Sequence, residues 1–529
     1  MVITLEEEDF VTDFPAIRRR ALMGALGVSA ALPWLGQVTP AQAAANDLVV
    51  GVPDNLTGLD PADVNDTLSQ SACRLMLQGL YGFDPEMKLI PVLAESYTAD
   101  DSAKVFTFKL RQGISFHDGT PFDAQAVKAN FERVANPENR LKRQSLLAML
   151  DRVEVVDPLT ARVILKEPFG AFVNTIAHPA GMMLSPKAIA QFGKEIGRNP
   201  VGTGPFTFVS WNADTLKVKK NTGYWKPGLP KVETVTFRSV PENGARIAML
   251  QTGEAHFIYP LPPEMAAVVQ RSPNVEIVDS PSIIARYVSM NCMKKPFSDV
   301  RVRQALNHAV NKEAYAKVVY NGFAQPLDAP IPPKLGFYSW QEPYAYDVAK
   351  AKRLLAEAGY PNGFETEMWA QNNTLAQRGM QFMQQQLAAV GVKVNVMPME
   401  TGVLQDRIWS VQKPEDAQIQ TYYGGWSSST GDADWGLRPL LWGQGFPPKL
   451  YNTAYYSNPD VDKALEAAIA TADPAKREAL YKDAQAKIWK DAPWIFLGVE
   501  NVLSARSKKL TGMYRIPDGG LLIEEAALS

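Results

Sequence analysis

From Asp47 onward, apolar and polar positions alternate between two periods. Asp47-Leu-Val-Val-Gly-Val-Pro53 predicts a first strand, and Val105-Phe-Thr-Phe-Lys-Leu-Arg111 alternates at period two, the mark of a half-buried strand. Val153 to Val156 and Ala161 to Leu165 flank Asp157-Pro158-Leu159-Thr160 and predict a hairpin. Helical spacing predicts helices over Ser69 to Tyr81, where Gly82 ends the pattern, and over Phe122 to Ala135, where Asp123 is placed to cap. Further helices are predicted at Asp299 to Val310, Asp347 to Ala358, Thr374 to Val390, Asn458 to Ala470 and Pro474 to Asp491, with strands at Gly391 to Val396 and Ala417 to Tyr423. No internal repeat, low-complexity linker or coiled coil interrupts the series, so the chain reads as α/β with mixed sheets.

The first 43 residues follow another grammar. Arg18, Arg19 and Arg20 lead into ALMGALGVSAALPWLG, and Ala41-Gln42-Ala43 supplies the small residues that a signal peptidase cuts after. Pro33 and Gly36 interrupt the apolar run before it reaches the roughly 20 residues a bilayer span needs. Residues 1–43 therefore read as a removable export signal. Arg19-Arg20-Ala21-Leu22-Met23 also resembles a twin-arginine signal, so both export routes stay open. Five acidic residues stand before the arginines, which is unusual in such a segment; an over-long start assignment would explain them. No cysteine stands at the cleavage point to take a lipid anchor.

Without residues 1–43 the chain carries 51 acidic and 51 basic residues (56 less 5, and 54 less 3). Zero net charge argues against nucleic acid and anionic membrane surfaces as partners. Two cysteines, Cys73 and Cys292, make no disulfide scaffold and read as buried free thiols. The four histidines, His117, His178, His256 and His308, never stand four apart, and no nucleophile elbow, phosphate loop or dinucleotide fingerprint is present. Catalytic residues, metal ligands and cofactors are therefore not expected, and the protein reads as a non-enzyme.

One stretch is unusual: GWSSSTGDADW, Gly425 to Trp435. Glycines, short hydroxyl side chains and two carboxylates without an adjacent lysine or arginine make poor core. They form either a surface turn or a loop shaped for something cationic. A glycosidase pair is the weaker reading, because Asp432 and Asp434 lie two apart on one loop and seldom straddle a sugar.

Several segments together resemble the extracytoplasmic solute-binding proteins of peptide, nickel and opine ABC importers. They are LAESY (Leu93 to Tyr97), FTFKLRQGISFHDGTPF (Phe106 to Phe122), PVGTGPF (Pro200 to Phe206), KPFSDVRVRQAL (Lys295 to Leu306) and AEAGYP (Ala356 to Pro361). LDPADVNDTLSQ, ARYVSMN, FMQQQLAAVGVKV and GWSSSTGDADW are most similar to members that bind glutathione. The resemblance implies a periplasmic binding protein-like two-lobe fold, class II of the large peptide-binding type, with an extra subdomain inserted in lobe I. The implied division is 44–286 for lobe I, with the insertion at about 87–199, 287–502 for lobe II, and 503–529 returning to lobe I. ARYVSMN and the stretch near Glu500 would be the crossing strands. His117, on the best family marker, would be structural. The implied function is capture of glutathione, or a related γ-glutamyl or short peptide, between hinged lobes. A soluble periplasmic monomer would then deliver it to the permease subunits of the importer in the inner membrane. Dipeptide or oligopeptide binding, or haem or nickel, are the alternatives within the family, and an exported hydrolase is the alternative outside it.

A ligand with an ammonium and two carboxylates requires acids and guanidinium groups. Asp432 and Asp434 are the candidates for the ammonium; the alternative is that one of them caps a helix near Leu437. Dipeptide-binding relatives carry an aspartate where Ser429 stands. Trp426 reads as a cleft wall and Ser427 as a donor beside it. Arg378, where relatives carry a basic residue, and Arg286, followed by Tyr287 and Asn291, are the carboxylate candidates. Asn55, Asp66, Thr67 and Thr203 would add hydrogen bonds.

Overall fold

The computed structural model describes residues 46–529; the export signal expected over 1–43 lies outside the described residues. An 11-stranded mixed sheet runs through the molecule. Its first half is built on Asp47–Val52, parallel to Thr234–Ser239 on one side and to Phe257–Ile258 on the other. Its second half is Thr421–Ser427, Glu365–Gln371 and Lys393–Met399, all parallel. Two long antiparallel strands, Val275–Met290 and Trp494–Ser507, lie between the halves and belong to both. Their ladder shifts register at two places: Pro281 pairs with Asn501 and the next pair is Ala285 with Val499, and Arg286 pairs with Gly498 but Tyr287 with Phe496. Residues 282 to 284 thus face Glu500 alone, an irregularity that bends the ribbon. Ser282 Oγ donates to the Glu500 carbonyl there, and the Ile283 amide leaves the ladder for the Pro517 carbonyl.

Each half carries its own core. Val50, Phe206, Val218, Phe237 and Phe257 are fully buried in the first; Val288, Leu306, Tyr315, Met383 and Leu497 in the second. A separate four-stranded antiparallel sheet, Ala94–Ala99, Val105–Leu110, Thr160–Leu165 and Leu150–Asp157, occupies the segment expected as an insertion. Its inner side chains Phe106 and Phe108, with Phe172 of the helix Phe172–Ala177, share one contiguous core with Leu437, Tyr481 and Phe496 of the second half. The Gly170 amide donates to the Ile469 carbonyl across that junction.

Short polar residues start the helices as their sequence positions imply. Asp123, Asp299, Asp347 and Asn458 each accept a hydrogen bond from a first-turn amide of Ala124–Ala135, Val300–Ala309, Val348–Glu357 and Pro459–Ile469. Two expected elements shift. The helix expected over Ser69 to Tyr81 is Thr67–Met76, capped by Asp66; Gln78–Gly79 and Tyr81–Phe83 are strands, and the Leu77 amide closes the last turn on Cys73. The strand expected over Ala417 to Tyr423 is Thr421–Ser427 and runs through both glycines. Cys73 is buried and Cys292 half-buried, both as free thiols. His117 holds the Gly202–Gly204 turn: its amide donates to the Gly202 carbonyl and its Nε2 lies 3.0 Å from the Gly204 carbonyl oxygen.

Candidate functional site

The stretch that stood out in the sequence leaves the sheet at the bend. Thr421–Ser427 pairs with the crossing strand so that Ser427 faces Ile284, Trp426 faces Ala285 and Gly425 faces Arg286. Ser427 and Ser429, both half-buried, follow where this strand ends. The Thr430 carbonyl accepts from Asn174 of the inserted segment (3.3 Å), so the loop is wedged between the two regions. Trp426 is half-buried; its Nε1 donates to the Trp435 carbonyl (2.7 Å) and its ring lies 4.9 Å from that of Tyr451.

The reading of Asp432 and Asp434 as carboxylates without a cationic neighbour is corrected. Asp432 is 1% exposed and held in a two-pronged ion pair by Arg477, at 2.9 and 2.8 Å, from 45 residues away. Its Oδ1 also accepts from the Asp434 amide, which makes it the N-cap of Ala433–Leu441. Helix capping near Leu437, the alternative weighed from the sequence, is therefore what Asp432 does. Asp434, 2% exposed, pairs with Arg438 one turn on, at 2.7 and 2.8 Å. Burial works against both guanidinium charges, but the adjacent carboxylates more than offset it and raise Arg477 and Arg438 above the usual arginine range.

The guanidinium candidates stand on elements that border one group of tyrosines. Arg286 Nε donates to Glu500 Oε2 (2.8 Å), and Tyr320 donates to the same oxygen (3.0 Å). Neither terminal nitrogen of Arg286, nor Oε1 of Glu500, has a protein hydrogen-bond partner among the described residues, and the two side chains are 24% and 14% exposed. Burial opposes the Arg286 charge; Glu500 outweighs it and lifts the group well above its usual range. The side chain has room because its cross-strand neighbour is Gly425, where a Cβ would sit 2.6 Å from Nη1. Tyr423, on the same strand as Gly425, shares a 2.6 Å hydrogen bond with Tyr315. Arg378 stands on the helix Thr374–Ala388 next to Gly379, where a Cβ would meet the Tyr423 hydroxyl at 2.1 Å. Its Nη1 donates only to the Val319 carbonyl (3.2 Å), one residue before Tyr320, and it is half-buried. Arg286, Glu500 and Arg378 thus lie around one group of tyrosines, at the lip of the second core beside the bend.

Other sequence candidates separate. Tyr287 is 3% exposed, its ring stacked 3.9 Å from Trp494. Asn291 is fully buried; its amide donates to the Ile419 carbonyl and its oxygen accepts from the Met293 amide, so it holds a turn. Thr203 is buried and donates to Gln78 (3.1 Å). Asn291 and Thr203 are corrections, since their polar atoms are committed inside the fold. Asn55 and Thr67 are exposed in the first half, and Asp66 caps its helix while accepting from Thr57 (2.6 Å). Glu500 was not singled out as a site residue; the only signal for it was that an arginine in a buried connection needs a partner.

Among the described residues, no group of three or more His, Cys, Asp or Glu is arranged to hold a metal ion, and His178 is buried with its imidazole pushed down to about 3. A cavity of about 450 Å³ lies among Tyr81, Val92, Met182 and Leu522, lined by none of Arg286, Arg378 or Glu500.

Residues 88–448 match the model for bacterial extracellular solute-binding proteins, family 5 middle. The glutathione-binding protein GsiB of Pectobacterium atrosepticum is 50% identical over 517 residues, covering 97% of this chain and 99% of the relative. That of Escherichia coli K12 is 48% identical over 515 residues, with the same coverage. The solved structure of HbpA2 from Haemophilus parasuis matches with a TM-score of 0.84 at 27% identity, over 92% of this chain and 100% of that one. The periplasmic binding protein DppA of Helicobacter pylori, in complex with the peptide STSA, matches with a TM-score of 0.72 at 29% identity, over 91% and 98%.

Proposed function

Because the chain belongs to the family 5 bacterial extracellular solute-binding proteins, we propose that it captures glutathione, or a close γ-glutamyl or short peptide, between its two lobes for an ABC importer. The observation that carries this reading is the pair of accessible guanidinium groups, Arg286 and Arg378, around one tyrosine cluster, in a chain half identical along nearly its whole length to glutathione-binding relatives. Glutathione has two carboxylates, and a guanidinium holds each by two parallel hydrogen bonds where an ammonium gives a point contact. Trp426, Ser427 and Ser429 stand at the loop beside them, and Asn55, Asp66 and Thr67 supply polar atoms from the first lobe. Asp432 and Asp434, with Arg477 and Arg438, keep that loop in shape. The ligand leaves chemically unchanged, the protein works as a monomer in the periplasm, and it hands its cargo to the permease subunits in the membrane. Among the described residues no helix is long and apolar enough to cross a membrane.

Calorimetric titration of the exported form with reduced and oxidised glutathione tests the reading. Binding near micromolar, about −8 kcal/mol, is expected, with the ligand recovered intact. Heat with dialanine and none with either form of glutathione would move the assignment to ordinary short peptides, the second reading, which the match to a peptide-bound DppA favours.

A further inference from the structure

We infer that Arg286 and Glu500 together form a subsite for an α-amino-acid head group, in which Glu500 Oε1 takes the ammonium and the terminal nitrogens of Arg286 take the carboxylate on the same carbon. This deepens the reading above and rests on it. Once Asp432 and Asp434 are committed to Arg477 and Arg438, the ligand's ammonium needs another acid. Glu500 is the carboxylate in contact with the tyrosine cluster, and only one of its oxygens is engaged.

The charges are arranged for a zwitterion. Positive and negative groups lie side by side at 2.8 Å, on two neighbouring strands, with both side chains partly exposed. An α-amino acid presents the mirror of that pattern, with ammonium and carboxylate on one carbon. In an extended dipeptide the two ends are roughly 7 Å apart, so it cannot satisfy both halves of the pair at once. The γ-glutamyl residue of glutathione keeps its α-ammonium and α-carboxylate together because the chain continues from the side-chain carboxyl. Electrostatics agree: the pair is already neutral when empty, so a neutral head group leaves no buried charge uncompensated. Arg378, whose one protein partner is a backbone carbonyl, stays net positive for the remaining glycyl carboxylate.

The test is titration calorimetry of the full exported chain with three probes: glutathione, glutaryl-cysteinylglycine, which lacks the α-amine, and 4-aminobutanoyl-cysteinylglycine, which lacks the α-carboxylate. The wild type should bind each analogue at least ~10-fold more weakly than glutathione, as expected when a buried charged group loses its partner. Glu500→Gln should weaken glutathione by a similar factor and leave the glutaryl analogue within about 3-fold; Arg286→Met should likewise weaken glutathione and leave the aminobutanoyl analogue within about 3-fold. The inference is overturned if the wild type binds either analogue as tightly as glutathione, a result that needs no variant to fold. It is overturned equally if Glu500→Gln weakens glutathione and the glutaryl analogue by the same factor. Those outcomes leave glutathione binding standing. A wild type that binds dialanine and no glutathione ends the proposed function, and this subsite with it.

Discussion

Asp432→Asn separates a carboxylate that shapes the loop from one that meets the ligand. Asparagine keeps the volume and caps a helix about as well as aspartate, so Ala433–Leu441 still starts correctly. What disappears is the negative charge beside Arg477, in a pair whose side chains are 1% and 5% exposed. Removing one member of a buried pair leaves the other charged and unmatched, at about 3–5 kcal/mol. The 486 residues that follow the expected export signal (529 less 43) would have an unfolding entropy near 1 kcal/mol per kelvin, at about 2.1 cal/mol/K per residue. The expected fall in Tm is thus about 3–5 °C by differential scanning calorimetry. Glutathione affinity of the folded variant should stay within about 3-fold. Asp432→Asn combined with Arg477→Met leaves no buried charge and should recover part of the loss, as coupled sites do. An unmoved Tm together with abolished binding would refute this reasoning and return Asp432 to the ligand.

Two further perturbations follow. Gly425→Ala places a methyl 2.6 Å from Arg286 Nη1 and 3.0 Å from the Ala285 carbonyl oxygen; the flexible guanidinium must move, so glutathione binding should weaken ~10-fold or more with Tm within a few degrees of wild type, and undiminished binding would show that Arg286 is not needed where it stands. Lys312, which donates to the Asn307 and Tyr344 carbonyls, is pushed down from 10.5 to about 7 by burial, so between those values the unfolded chain holds a proton that the folded chain releases. The resulting penalty on folding is absent above 10.5, grows as pH falls and is complete below 7. Raising pH from 7 to 9.5 should therefore favour wild type over Lys312→Met by about 3 kcal/mol, or about 3 °C in the Tm difference; a difference constant with pH counts against it.

Local structure was legible where the cause is local. Asp123, Asp299, Asp347 and Asn458 announce helix starts because their side chains serve amides two or three residues on. Thr421–Ser427 was placed too early because glycine is a poor strand former in isolation; Gly424 and Gly425 belong to the strand because a crossing strand with a large side chain at Arg286 lies beside them. The site was half legible. Arg286 and Arg378 are legible in the sequence as candidates, and both stand on elements that border the tyrosine group. Asp432 could not be sorted from ligand to loop, because its partner Arg477 is 45 residues away on another helix. Glu500 and Arg286 are 214 residues apart, joined only by the pairing of two strands.

The interruption between Pro281 and Ala285 has a mechanical consequence. With three residues facing one, few ladder hydrogen bonds tie the ribbon together at Ser282, Ile283 and Ile284, and a second register shift follows at Arg286 and Tyr287. Ser282 grips the peptide unit of Glu500, whose side chain carries the charge beside Arg286. The irregular stretch and the charged pair are thereby joined through one peptide unit. Ser282→Ala is therefore expected to change the rate of ligand release, measured by stopped flow, while the Arg286–Glu500 pair stays in place.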